Sequence, residues 1–131
     1  MRTFVNKTIV GGKAQSSEMH LDWTVELHQD FDFDRFLTEL PLTDQVIVVR
    51  AVQAVLREHG NRLAGTHWVT ALGAGLFEFR ISAPQLLIRI FFTYQAQRVI
   101  LLLAAYDKQR DPSQKRQQRE IAQARKRIQN A

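Results

Sequence analysis

LFEFRISAPQLLIRIFFTYQAQRVILLLAAY, residues 76–106, decides the fold of this 131-residue chain. Three short strands are expected within it, at 76–81, 87–94 and 98–106. In the first, Phe77, Phe79 and Ile81 point one way while Leu76, Glu78 and Arg80 point the other. In the second, Ile88, Ile90, Phe92 and Tyr94 oppose Leu87, Arg89, Phe91 and Thr93, again with the period of two that a strand imposes. Residues 99–105 are continuously apolar, the pattern of a central strand covered on both faces. With 82–85 read as a four-residue hairpin loop, Glu78 stands opposite Arg89 and Arg80 opposite Leu87. All four lie on the face away from the phenylalanines. A cross-strand ion pair would account for Glu78 and Arg89, and a binding role is the alternative. Arg80 has no partner directly opposite, which favours binding. Charges inside apolar strands cost desolvation energy unless they are partnered.

Working towards the N-terminus, residues 20–28 alternate, with Leu21, Trp23, Val25 and Leu27 on one face of a half-buried strand. Phe33, Phe36, Leu37 and Leu40 fall at i, i+3, i+4 and i+7, one face of a short helix that Pro41 ends. Thr43 is the expected N-cap of a second helix, 43–59, stopped by Gly60. Its apolar stripe is Val48, Val52, Val55 and Leu56. The β-branched residues lower helix propensity, so burial must supply the stability, and both helical faces are read as core. Residues 61–70 read as a linker. Residues 1–18 have no sustained periodicity and read as a loose extension before a single domain, 19–131, with Met19 as an alternative start. Towards the C-terminus, Asp111, Pro112 and Ser113 begin a last helix whose apolar stripe is Ile121, Ala124 and Ile128. The expected order is β-α-α-β-β-β-α, an α+β domain with its helices packed on one face of a mainly antiparallel sheet.

Composition narrows the chemistry. The chain has no cysteine, which excludes disulfides, thiolate catalysis and cysteine-based zinc sites. The four histidines show no metal-ligand spacing, and no metal or cofactor is expected. His67, in the linker before the sheet, is the one expected near the arginines, an ordinary loop histidine being the alternative. No phosphate-binding glycine loop, G-x-S-x-G or H-E-x-x-H motif occurs. No apolar run approaches the roughly 18–20 residues that span a bilayer, and residues 1–18 lack a signal-peptide core. A soluble cytoplasmic protein with no membrane contact is the expectation.

The net charge of +5 resides after Tyr106, where Lys and Arg outnumber the acidic residues, while residues 1–106 balance. A neutral body with a polycationic end suits a polyanion, nucleic acid or an acidic protein partner. Arg110, Lys115, Arg116, Arg119 and Arg125 are the candidate phosphate contacts of that end. Tyr106 and Lys108 share a parity at the end of the last strand. Together with Arg80 and Arg89, Lys108 would form an anion site on one sheet face. Core closure is the alternative for Tyr106, and a solvated surface charge for Lys108 and Arg110.

These residues carry a resemblance. Leu72-Gly-Ala-Gly-Leu-Phe-Glu-Phe-Arg80, Ile88-Arg-Ile-Phe-Phe92, Ile100-Leu-Leu-Leu-Ala-Ala-Tyr-Asp-Lys108, and Glu120-Ile121 with Ala124-Arg125 are similar to the phage-derived, HigB-like branch of the RelE/ParE toxin superfamily. Trp23-Thr-Val-Glu-Leu-His28 resembles that branch's first strand. The resemblance spans roughly residues 21–128. It implies a RelE-like fold and the toxin of a type II toxin–antitoxin pair, an endoribonuclease that cuts mRNA, commonly on the ribosome. Such enzymes use the RNA's own 2′-hydroxyl as the nucleophile. The implied roles are phosphate clamps at Arg80 and Arg89, an acid or electrostatic stabiliser at Lys108, and a base or stacking platform at Tyr106. The implied partner is a cognate antitoxin, a helix-turn-helix protein from the same operon. Two departures stand out: Lys108-Gln109 replaces the paired lysines of many relatives, and Pro112 lies further from Glu120-Ile121 than their proline does. No carboxylate or histidine stands out as a general base. A ParE-like gyrase poison of the same fold and a non-catalytic nucleic-acid-binding module are the alternatives.

Overall fold

The computed structural model describes residues 22–131 and the backbone of Arg2–Thr3. The rest of the expected extension, and Met19, His20 and Leu21, lie outside the described residues. Six strands form one mixed sheet in the order β1-β2-β6-β5-β4-β3. They are β1 (Arg2–Thr3), β2 (Thr24–Leu27), β3 (Val69–Gly73), β4 (Leu76–Ala83), β5 (Leu86–Gln95) and β6 (Val99–Asp107). Only β2 and β6 run parallel. β6 sits between β2 and β5 and is buried along most of its length, as its unbroken apolar run requires.

Three parts of this architecture differ from the expectation. β3 was not expected, and its first two residues fall in the stretch read as linker. It is an edge strand that buries only Val69, so it carries almost no apolar signal. The β4–β5 turn is tighter than four residues. Ala83 pairs with Leu86, so Pro84 and Gln85 alone make the turn. Pro84 supplies a fixed φ of about −65°, and Gln85 takes φ 64°. This moves the register by two, leaving every side chain on its expected face but setting Arg80 opposite Arg89 and Glu78 opposite Phe91. Finally, the helices occupy both faces of the sheet.

On the first face lie α1 (Phe33–Thr38) and α2 (Leu42–Arg50). Asp32 caps α1 by accepting the Arg35 N–H at 3.0 Å. α2 begins after Pro41 without a side-chain cap, which places Thr43 inside the first turn and not at the cap. It continues through a π-helical stretch, Ala51–Leu56, to a last turn at Arg57–His59. The wider turn directs Ala51, Val52, Gln53 and Leu56 inward. With Phe33 and Val48, Ala51, Val52 and Leu56 pack on Phe79, Ile81, Ile88, Ile90, Phe92, Ile100 and Leu102. The second face is apolar too, through Leu76, Phe91, Leu101 and Leu103, and an apolar sheet face needs a cover. α3 (Gln114–Gln129) provides it, burying Ala124 and packing Ile121 and Ile128 against this second core. A bulge in β6 helps: Phe91 pairs with Ala104 and Phe92 with Leu102, so Leu103 and Ala104 both turn towards α3.

Gly60 closes the corner where the last helical turn meets β2 and β5. It sits at φ 53°, and a Cβ there would run into the Trp23 indole ring. Trp23 in turn packs 5.3 Å from the Tyr94 ring. Gly60→Ala is therefore expected to cost about 3 kcal/mol, steric overpacking added to backbone strain, measured as a lower urea midpoint. The Tyr94 hydroxyl donates to the Gly60 carbonyl at 3.0 Å. Burial pushes its pKa up to about 12. The folded chain thus holds this proton more tightly than the unfolded one, whose phenol titrates near 10. Stability is expected to be level in this respect below pH 10 and to fall as pH rises from about 10 to 12. Urea titrations across that window should show less of this decline in Tyr94→Phe. Among the described residues, no helix is long and apolar enough to cross a membrane.

Candidate functional site

Arg80, Arg89 and Tyr106 are Cα partners across β4, β5 and β6 and form one transverse row on the α3 face of the sheet. The Lys108 amide donates to the Leu87 carbonyl at 2.7 Å, which sets Lys108 beside Ser82 and Leu87 in the next row. On the other side, Glu78, Phe91 and Ala104 make the third row. The three residues expected to converge, Arg80, Arg89 and Lys108, thus fall within two rows of a sheet whose strands are about 4.8 Å apart, with Tyr106 in the row of the arginines.

Their access to solvent differs sharply. The Arg80 side chain is 42% exposed, whereas that of Arg89 is 6% exposed. Lys108 is half-buried and Tyr106 fully buried. Glu78, also buried, holds the row together. Its carboxylate lies 3.9 Å from the Nε of both Arg80 and Arg89, and it accepts from Gln117 Nε2 of α3 at 3.3 Å. Arg89 also donates to the Ile88 carbonyl at 3.2 Å. Desolvation pulls the Arg89 pKa down, Glu78 opposes that, and Arg80 adds to it. Guanidinium is nonetheless charged at any ordinary pH. Arg80 Nη1 reaches Thr70 Oγ1 at 3.5 Å, a weak contact that leaves its donors largely available.

Tyr106 stands in an unusual position. Its ring is stacked on Phe91 at 6.2 Å, and the Arg116 guanidinium lies 5.3 Å from its centre. Neither face is open for an RNA base in this conformation. Its hydroxyl is buried with no hydrogen-bond partner among the described residues. Burial and the Glu78 charge raise its pKa, Arg89 and Arg116 opposing. The phenol therefore stays protonated at neutral pH and is a donor, not a base. Removing an unsatisfied buried hydroxyl relieves its desolvation cost, so Tyr106→Phe is expected to be neutral or stabilising by about 1 kcal/mol in a urea titration. A clear loss of stability would mean that the hydroxyl has a partner.

Residues 35–129 match the model of the phage-derived Gp49-like proteins (DUF891). The chain belongs to that family. Gp49-like proteins are associated with the toxins of toxin–antitoxin systems. The matched span holds the whole of the cationic row and α3. No curated protein matches the chain.

In this Gp49-like chain, the basic tail divides into structural and free cations. Arg125 donates to the Gly73 and Leu72 carbonyls at 3.0 and 2.8 Å, and Arg127 to the Leu103 carbonyl at 2.6 Å, so both fasten α3 to the sheet. Arg116 pairs with Glu120 at 2.9 Å and lies 3.7 Å from Asp111. Arg110 donates to the Glu39 carbonyl at 3.3 Å. Lys115 and Arg119 are exposed and form no ion pair among the described residues. Of the five tail cations expected to meet phosphate, three are therefore already engaged within the Gp49-like fold. Sequence reasoning missed Gln117, which bridges α3 to the site, and Thr70 beside Arg80. Both are ordinary polar residues with no motif around them.

Proposed function

We propose that this chain is an RNA-cleaving toxin with a RelE-like, HigB-like fold, neutralised by a cognate antitoxin. The single observation that carries this reading is the row Arg80–Arg89–Tyr106 with Lys108 beside it, four donors on one sheet face. Arg80 and Lys108, the members open to solvent, hold the scissile phosphate and offset the charge that grows on its oxygens. Buried Glu78 fixes the Arg80 guanidinium, and Arg89 is the second buried partner of that carboxylate. The 2′-hydroxyl oxygen attacks the adjacent phosphorus, the bond to the 5′ oxygen breaks, and a proton is delivered to that oxygen. A 2′,3′-cyclic phosphate and a 5′-hydroxyl result. Lys108 is the proton donor, since the Tyr106 hydroxyl is buried away from solvent, and the 2′-hydroxyl proton passes to solvent. The substrate is mRNA, engaged on the ribosome in the cytoplasm, and a helix-turn-helix antitoxin from the same operon is the partner.

A second reading, a nucleic-acid-binding module without catalysis, draws on the burial of Arg89 and Tyr106. The two readings separate on induced expression. Cleavage predicts growth arrest and discrete new 5′-hydroxyl ends in cellular transcripts by primer extension. Binding alone predicts salt-sensitive retention of RNA with intact transcripts. Growth arrest with intact transcripts would point instead to a gyrase poison of the same fold.

A further inference from the structure

Beside Arg80, at the β3 edge, an aromatic run leads from the core to the surface. Phe79 is buried, Trp68 half-buried and His67 exposed. The Trp68 ring lies 5.9 Å from Phe79 at an interplanar angle of 24°, and His67 lies 5.5 Å from Trp68 at 28°. Core packing explains the inner two rings. It does not explain the third, since an exposed imidazole adds nothing to a core.

The loop that carries these rings is fixed by its own hydrogen bonds. Thr66 Oγ1 donates to the Leu63 carbonyl at 2.6 Å and accepts the Trp68 N–H at 3.2 Å. The Val69 N–H donates to the Thr66 carbonyl, and the Gly65 N–H to the Val69 carbonyl, both at 3.2 Å. Rings held in this way cost a ligand little ordering on binding. The Trp68 carbonyl accepts the Arg80 N–H at 2.8 Å, so Trp68 stands at the β3 end of the row Arg80–Arg89–Tyr106. β3 ends the sheet on this side, and its neighbours in the described residues leave Ala71 and Gly73 exposed.

We infer that His67 and Trp68 form a stacking subsite for one unpaired nucleobase of the RNA whose phosphate Arg80 holds. The inference rests on the RNA-cleaving reading and adds a base-binding element to it. Arg80 lies on the α3 face and the rings on the opposite side, so the strand passes over the β3 edge, phosphate on one side and base on the other. Stacking needs only a π-face, so every base is accepted, and the larger purine surface is favoured over a pyrimidine.

The test uses the full chain and a single-stranded RNA oligonucleotide with 2′-O-methyl riboses, which lacks the nucleophile and stays intact. His67→Ala and Trp68→Leu should each weaken its binding about tenfold, while Trp68→Phe, which keeps a ring, should bind nearly as the parent does. The same oligonucleotide abasic at every position should bind the parent chain at least as weakly, with no further loss for His67→Ala. His67→Ala leaves the core untouched, so its result stands even if Trp68→Leu misfolds. If the abasic and His67→Ala losses add in full, if neither occurs, or if the parent chain does not bind the oligonucleotide, the subsite is wrong. Base-dependent binding together with uncut cellular transcripts would overturn the cleavage reading while supporting the subsite.

Discussion

Glu78→Ala is expected to be the most damaging single exchange in the sheet, lowering stability by about 3–5 kcal/mol. The magnitude follows from what the alanine leaves behind. Glu78 and Arg89 are both 5% exposed, and the guanidinium stays charged without its carboxylate. It would keep only the Ile88 carbonyl and gain Arg80 as an uncompensated neighbour. Gln117 would also lose its acceptor, freeing one of the contacts of α3 with the sheet. The net worth of the pair is a different quantity, because both ions were desolvated to form it. Glu78→Met combined with Arg89→Met is therefore expected to recover most of the loss, since an apolar pair of similar volume suits the second core. Urea denaturation of the parent, both single variants and the double variant measures the cycle. A Glu78→Ala midpoint close to that of the parent would show that water reaches Arg89 in the folded chain, and the idea of a sealed support beneath Arg80 would then fail.

How much of this was legible in the sequence depends on which force set each feature. The first two strands of residues 76–106 were readable from their alternation and the third from its unbroken apolar run, and the faces of Glu78, Arg80 and Arg89 followed directly. Their register was not, because it depends on a turn. Pro84-Gln85 makes a two-residue connection only because Gln85 accepts a positive φ, which nothing in its chemistry announces. β3 was invisible for the opposite reason: an edge strand with one buried residue has no pattern to show. The position of α3 could have been inferred. Leu76, Phe91, Leu101 and Leu103 make a second apolar face, and Ile121, Ala124 and Ile128 offer a stripe to cover it. Reading the helices as packed on one face of the sheet hid this. Long arginines do two jobs, and Arg125 and Arg127 spend their guanidinium groups on sheet carbonyls. Composition cannot separate such residues from Lys115 and Arg119.

On the proposed RNA-cleaving reading, Arg80→Ala is expected to lower cleavage by about 100–1000-fold, the usual cost of one donor aimed at developing oxyanion charge, and to abolish growth arrest. The fold should hardly notice. The Arg80 side chain is 42% exposed, its ion pair with Glu78 spans 3.9 Å, and Glu78 keeps Arg89 and Gln117 when it goes. Loss of activity at parental stability is what distinguishes a phosphate-holding residue from a structural one. Arg80→Lys should restore only part of the rate, because an ammonium cannot grip two phosphate oxygens in parallel. Arg89→Ala offers the contrast. It too should lose activity, but with a clear fall in stability, since it strips Glu78 of its buried partner. Purified variants assayed on a defined RNA, with urea midpoints measured alongside, settle the comparison. Should Arg80→Ala cut RNA at the parental rate, the cationic row is not where the phosphate binds. The exposed Lys115 and Arg119 of α3 would then be the next place to look.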